Sequence, residues 1–140
     1  MAETIHVDIV SAEGEIFAGE AKMVFLPAAE GEIGVAPRHA PLLTLLKAGE
    51  VRVVPVEGAE QSFYVGGGAL EVQPRKVTVL ADTAARAADL DEAAAEAARQ
   101  RAEEALSGKI DKIEQAEALA ELARAAAQLK LIQRLRKIKG

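Results

Sequence analysis

The spacing of apolar residues in this chain changes period once, across LADTAARAADLDE, Leu80 to Glu92. Before that stretch, apolar side chains recur at every second position. After it they recur every three to four, and alanine becomes abundant. A repeat of two belongs to strands with one buried face, and a repeat near 3.6 to amphipathic helices. The pattern therefore predicts a sheet-forming segment followed by a helix-forming one, divided as 1–84 and 85–140. The joint carries capping chemistry. Asp89 is expected as a helix N-cap, with Glu92 three residues on completing a capping box. The first segment reads as a fixed platform and the second as a movable arm.

Composition narrows what such a chain can do. It has 140 residues, 50% of them hydrophobic, enough for one domain with a core plus a small appendage. Aromatic residues are only 3% with no Trp, which disfavours stacking platforms for single-stranded nucleic acid. A formal net charge of -5 disfavours a phosphate-backbone binder, so no nucleic-acid partner is expected. The absence of Cys excludes disulfides and thiolate chemistry and fits a reducing compartment. No apolar run resembles a signal peptide or is long enough to cross a bilayer, and Glu3 and Asp8 are unlike a transit peptide. No direct membrane insertion is expected.

In the first segment, Ile5, Val7 and Ile9 alternate with His6 and Asp8, which predicts a strand. A turn at Ser11 to Gly14 leads to a short strand over Glu15 to Ala18, then another turn at Gly19-Glu20. Met23 to Leu26 is a buried strand closed by Pro27. Glu30-Gly31-Glu32 turns into Ile33 to Ala36, and Pro37 and Pro41 bracket an irregular loop. Leu42 to Leu46, Val51 to Val56, Ser62 to Val65, Leu70 to Val72 and Val77 to Leu80 complete the strands. Turns are expected at Ala48-Gly49-Glu50, Glu57-Gly58 and Pro74-Arg75-Lys76. Short strands with no helices between them indicate an antiparallel β-sandwich or flattened barrel, not a parallel nucleotide-binding sheet.

In the arm, Leu90, Ala94, Ala97, Ala98 and Ala105 are expected on the packed side of a first helix that ends at Ser107-Gly108. Asp111 with Glu114 forms a second capping box. The second helix then runs to a basic end at Lys130, Arg134, Arg136, Lys137 and Lys139, which suits the negative pole of its dipole. A short turn between the two makes an antiparallel hairpin. Alanine favours helix formation, but a buried methyl contributes only about 0.8 kcal/mol against roughly 1.5–3 for a buried Leu. The helices are thus expected to hold their shape while docking weakly. Leu119, Leu122, Ala126 and Leu129 form one stripe, and Leu131, Leu135 and Ile138 another. The second stripe either packs on the platform or serves an undocked state.

Convergent chemistry is missing. His6 and His39 are not spaced as a metal pair, and no metal is expected. His6 reads as a solvated strand residue. His39, in the proline-bracketed loop, is either an interaction residue or a local hydrogen-bonding one. Gly66-Gly67-Gly68 lacks the Lys-Ser/Thr ending of a phosphate loop and opens no helix, so it reads as a bend between sheets. No Ser-His-acid arrangement stands out, so no catalytic residues and no cofactor are assigned.

At EGEIGVAPRHAPLL, Glu30 to Leu43, the chain resembles the epsilon subunit family of bacterial F-type ATP synthase, whose counterparts are the chloroplast epsilon and mitochondrial delta subunits. VDIVSAEGEIFAGE, GGGALEVQPRKVTVLADTA and DLDEA match in the same order. The resemblance implies a non-catalytic central-stalk subunit, peripheral on the cytoplasmic side of the bacterial inner membrane. Its sandwich would bind the gamma subunit and the c ring and help couple proton flow to ATP synthesis. Its hairpin would fold against the sandwich or extend along gamma to the alpha and beta subunits and inhibit ATP hydrolysis. Glu32 matches the position facing the c ring and His39 the one near gamma. Arg124, Lys130, Arg134 and Arg136 are candidate contacts to the catalytic head.

Some members bind ATP between the arm helices through an Ile/Leu-Asp-x-x-Arg-Ala motif with later arginines. Here Leu90, Asp91 and Ala95 match, as do Arg101 and Arg124. Ala94 and Gln128 stand where two guanidinium groups would be, so weak or absent ATP binding is expected. Two other readings remain. A free-standing sandwich adaptor would dimerise through its hairpin, and a small nucleotide-processing enzyme would need a base or metal site that the sequence does not display.

Overall fold

The computed structural model describes residues 3–139, and the side chain of Lys139 lies outside the described set. The chain forms two compact units, Met1–Arg86 and Ala87–Gly140.

The first unit holds β1 (Ile5–Ser11), β2 (Gly14–Ala21), β3 (Met23–Ala28), β4 (Gly31–Val35), β5 (Leu42–Val54), β6 (Gln61–Gln73), β7 (Lys76–Ala81) and β8 (Ala84–Arg86). They form one open sheet in the order β2-β1-β7-β6-β5-β3-β4, with β8 added beside β6. All pairings are antiparallel except that of β1 with β7. Side chains from opposite ends of this order meet in one core. Ile5, Val7 and Ile9 of β1 share it with Val24 and Leu26 of β3 and Val35 of β4. The sheet is therefore folded over on itself as a sandwich, and β2 and β4 remain as free edges rather than closing a barrel.

The fold-over is made by β5 and β6, each thirteen residues long. They pair in one unbroken register from Leu42↔Val72 to Val53↔Gln61. Inward-facing positions nevertheless switch parity along both. Leu42 and Leu46 face the core on β5 and then Val51 and Val53 do, while on β6 Phe63 and Val65 give way to Leu70 and Val72. The switch falls at the glycine triplet, where Gly67 and Gly68 have φ of 102° and 140°, a region that side chains with a Cβ avoid. There β6 also changes partner from β7 to β8, with Gly66 N–H donating to Thr83 O and Asp82 N–H to Gly67 O.

Several local expectations are corrected. Ala48-Gly49-Glu50 is not a turn but lies inside β5. The glycine triplet lies inside β6, as a kink within a paired strand. Gly19-Glu20 continues β2 to Ala21. Pro27 does not end β3. It is buried within it, opposite Glu32, where pairing with β5 is interrupted between Phe25 and Ala28 and no N–H donor is required.

The second unit begins with a 3-10 turn at Ala87–Asp89, followed by α1 (Glu92–Ser107) and α2 (Lys112–Lys139). The N-cap of α1 is Asp91, not Asp89; its carboxylate accepts from Ala94 N–H at 3.1 Å. Glu92 is therefore the first helical residue and not the far end of a capping box. Asp111 caps α2 as expected, accepting from Glu114 N–H at 2.8 Å. Gly108 N–H donates to Ala105 O, closing α1.

The packed seam also differs from expectation. Ala95 and Ala102 are the buried residues of α1, while Ala94, Ala97 and Ala105 are exposed. On α2, Ala118, Ala125, Leu129 and Leu131 are buried, Leu122 is half-buried, and Leu119 and Ala126 are exposed. Alanines seven apart on both helices put methyl groups at successive levels of one face, so the backbones can approach closely. Among the described residues, no helix is long and apolar enough to cross a membrane.

Candidate partner-binding surfaces

On the outer face of the sheet, cross-strand register builds an apolar row. Leu45 of β5 pairs with Ala69 of β6, Ala69 with Leu80 of β7, and Leu80 with Val10 of β1. Leu43 extends the row two residues along β5. Leu43, Leu45 and Leu80 are 75%, 67% and 55% exposed, unusual for leucine in a paired strand. The spacing puts Leu80 in a strand, but the outward patch exists only once four strands are aligned.

Glu32 lies on edge strand β4, exposed, with its carboxylate 3.6 Å from the Arg52 guanidinium. Arg52 sits over the Phe25 ring at 4.3 Å and reaches Glu60 at 3.5 Å. One cation on a ring face thus collects two carboxylates, Glu32 from strand β4 and Glu60 from the β5–β6 connection. Sequence reasoning missed Arg52, because it is linked to Phe25 through the β3–β5 register and not through proximity in the chain.

His39 is half-buried in the loop between β4 and β5. Its Nδ1 lies 2.7 Å from Ala40 O, an atom that can only accept, so the proton sits on Nδ1. Its backbone N–H donates to Ala36 O. The preceding residue, Arg38, has φ of 68°, and is fixed by a bond from its N–H to Pro74 O and an ion pair with Glu3 at 2.8 Å.

His6 is no lone solvated residue. Its ring lies between two carboxylates, Nδ1 2.7 Å from Glu20 and Nε2 2.8 Å from Asp8. Asp8 also meets Lys76 of β7 at 3.1 Å, and Glu20 accepts from the Thr4 hydroxyl. The hydrogen bonds to Glu20 and then Asp8 raise the His6 pKa above its ordinary 6.5. The Thr4 hydroxyl and then His6 hold the Glu20 carboxyl below its usual value. For Asp8, burial opposes the charge, but the bonds from Lys76 and His6 outweigh it and its pKa is lowered.

In the second unit, Arg136 binds Glu92 with Nη2 at 3.0 and 3.1 Å from the two carboxylate oxygens, and Arg101 meets Glu121 at 3.4 Å. These exposed pairs fasten α1 to α2, at about 0.2–1 kcal/mol each. Lys130 is exposed, and Arg124 and Arg134 are half-buried. At 100° per residue Lys130 and Arg134 share a face, whereas Arg136 turns toward α1. The four basic candidates are therefore not one patch. Asp91 and Arg101 are ten residues apart, about 15 Å of helix, and the Asp91 carboxylate is occupied by its capping bond. Asp91 and Arg101 are thus not gathered into one polar cluster. Among the described residues, no group of three or more His, Cys, Asp or Glu side chains is placed to hold a metal ion.

A folded-over antiparallel sheet succeeded by a capped pair of antiparallel helices defines a two-part class of protein, sandwich plus helical hairpin. The chain belongs to the ATP synthase delta/epsilon chain family: residues 4–87 match its beta-sandwich domain and residues 88–133 its long alpha-helix domain. It is 65% identical over 140 residues to the ATP synthase epsilon chain of Nitrosococcus oceani, covering 100% of both chains. It is 62% identical over 134 residues to that of Alkalilimnicola ehrlichii, covering 96% of each. Within that family the chain is of the bacterial epsilon type. Its fold is also similar to a chain of the Euglena gracilis mitochondrial ATP synthase, solved as OSCP/F1/c-ring, with TM-score 0.70 and 18% identity over 98% of this chain and 82% of that one.

Proposed function

We propose that this subunit is non-catalytic, couples proton flow to ATP synthesis through its sheet unit, and restrains ATP hydrolysis through its helical unit. The observation that carries this reading is the contrast between the two units. The sheet unit has a core of branched aliphatic residues and an exposed apolar row at Leu43, Leu45 and Leu80. The helical unit closes mainly on alanine methyls and is fastened by exposed ion pairs. Burying the row against a partner would contribute about 25 cal/mol per Å², a strong non-directional hold. The alanine seam buries little apolar area between the two helices, which fits an arm that changes neighbours.

On this reading the apolar row and His39 face gamma, Glu32 faces the c ring, and Lys130, Arg134, Arg136 and Arg124 meet the alpha and beta subunits of the head when the arm is extended. The complex sits peripherally on the cytoplasmic face of the inner membrane. ATP binding by the isolated subunit is weak or absent, because Ala94 and Gln128 supply no guanidinium group and Asp91 is engaged as a cap.

The test is reconstitution of the ATPase head and membrane sector with the full chain and with a chain lacking residues 89–140. The expected result is retained proton-driven synthesis and faster ATP hydrolysis with the shortened chain. Unchanged hydrolysis under both high and low ATP would overturn the regulatory assignment, and loss of coupling would overturn the division of labour.

A further inference from the structure

We propose that His6 is a proton-operated clamp that holds the free edge strand β2 onto the sheet and, through it, the last residue of the first unit. Both ring nitrogens face carboxylate oxygens, Nδ1 at 2.7 Å from Glu20 Oε2 and Nε2 at 2.8 Å from Asp8 Oδ1. A neutral imidazole has one N–H and one lone pair. It satisfies one of these contacts and sets its lone pair against oxygen in the other. Only the imidazolium donates to both. The observed geometry is therefore that of a charged ring.

Every group facing His6 fits this assignment. From β2 comes Glu20, held in place by the Thr4 hydroxyl. From β1 comes Asp8. From β7 comes Lys76, the register partner of His6, with its ammonium on Asp8. From the β6–β7 turn comes Arg75, whose carbonyl accepts the His6 backbone N–H. The two cations and two carboxylates balance, and the array ties β2, β1 and β7 together. A neutral His6 would leave an uncompensated negative charge and remove the ion pair that crosses from β1 to β2.

β2 is the sheet's outermost strand on that side, paired only with β1. What it carries makes its hold consequential. Its register slips between Ile9 and Val10, so Ile9 pairs with Phe17, Val10 with Glu15, and Ile16 is the extra residue of a bulge. The Ile16 carbonyl accepts from Arg86 Nη2 at 3.0 Å. Phe17 packs on Phe63 at 5.2 Å between ring centroids, and the Arg86 guanidinium lies 5.7 Å from that same Phe63 ring. Arg86 is the final residue of the first unit. The bulge thus frees a carbonyl that fastens the point where the chain leaves the sheet.

The sign follows from the raised pKa. The clamp's contribution is fully present below pH 6.5 and is lost as pH rises through the folded-state midpoint. The experiment is an NMR titration of the two histidines in the full chain, combined with amide exchange at β2 and β5. His6 is expected to titrate above 6.5 and to shift downward in Glu20→Gln. The β2 amides are expected to open more readily as pH passes the His6 midpoint, those of β5 showing no such step, and this step is expected to vanish in His6→Gln. Should His6→Gln prove poorly folded, the Glu20→Gln titration alone decides. A His6 midpoint at or below 6.5, or one unmoved by Glu20→Gln, would overturn the clamp, as would the same β2 opening step in His6→Gln and the parent chain.

Discussion

Replacing Gly68 with alanine gives the sharpest test of how the sheet folds over. A Cβ at this position would lie 2.1 Å from Leu80 O and 2.9 Å from Ala81 Cα, both backbone atoms of the paired strand. Neither can step aside without breaking the Gly68↔Ala81 pairing. The φ of 140° adds a conformational cost. Such strain costs on the order of 1–3 kcal/mol, and overpacking adds about 1–3 more. Reduced freedom of the unfolded chain returns roughly 0.4–1. The net expectation is a loss of about 3 kcal/mol. For a unit of this size that corresponds to a fall in Tm of roughly 12–24 °C.

Gly67 is the control. Its φ is also positive, but the nearest atom to its added Cβ is the Asp82 carboxylate oxygen at 3.3 Å, a side chain that can move. Gly67→Ala should lose only about 1 kcal/mol. The protein supplies its own probe. Tyr64 is the sole tyrosine, there is no tryptophan, and Tyr64 is buried in β6, so its fluorescence follows the sheet unit alone. Thermal unfolding read at Tyr64 should separate the two variants clearly. Equal losses for Gly67→Ala and Gly68→Ala would show that the close approach of β7 is not what fixes the kink.

Other expectations follow from single features. Asp91→Ala should cost the helical unit about 1 kcal/mol and Asp89→Ala less than about 0.5, measured by helix melting in far-UV circular dichroism; the reverse order would reassign the cap. Arg38→Gly should gain about 0.5 kcal/mol by relieving a left-handed residue, whereas Arg38→Ala should not, since it keeps the strain and loses the Glu3 pair; urea midpoints distinguish them. Ala102→Leu should lose about 1–3 kcal/mol of hairpin stability by forcing a branched side chain into a methyl-wide seam, while Ala97→Leu, exposed, stays within about 0.5; comparable losses would mean the seam is elsewhere.

The sandwich-plus-hairpin architecture was legible because runs such as Ile5-Val7-Ile9 keep a period of two before the joint, while the period beyond it is helical. Asp111 was readable as a cap because one acid precedes a clean helical run. At the first helix, Asp89 and Asp91 both fit, and only the 3-10 turn that takes up Asp89 decides between them. The alanine seam is not legible because alanines cover more than half of that helix's circumference, so periodicity alone cannot pick the strip that packs. The His6 cluster was hidden by the bulge at Ile16. Counting back from the Ser11↔Gly14 turn would set His6 opposite Gly19, and the one-residue slip is what delivers Glu20 instead. Arg52 and the outer leucine row depend on partners brought in by strand order, which no local spacing encodes.

The matched parity change on β5 and β6 carries an evolutionary consequence. A residue inserted beside Ala48 without a counterpart beside Gly66 would turn every side chain beyond it inside out, sending Val51 and Val53 to solvent and Arg52 into the oil. Length changes in this ribbon are tolerable only as compensated pairs. Homologues should therefore vary freely at the connection around Gly58, while the span from Leu42 to Val54 and its partner keep a common length.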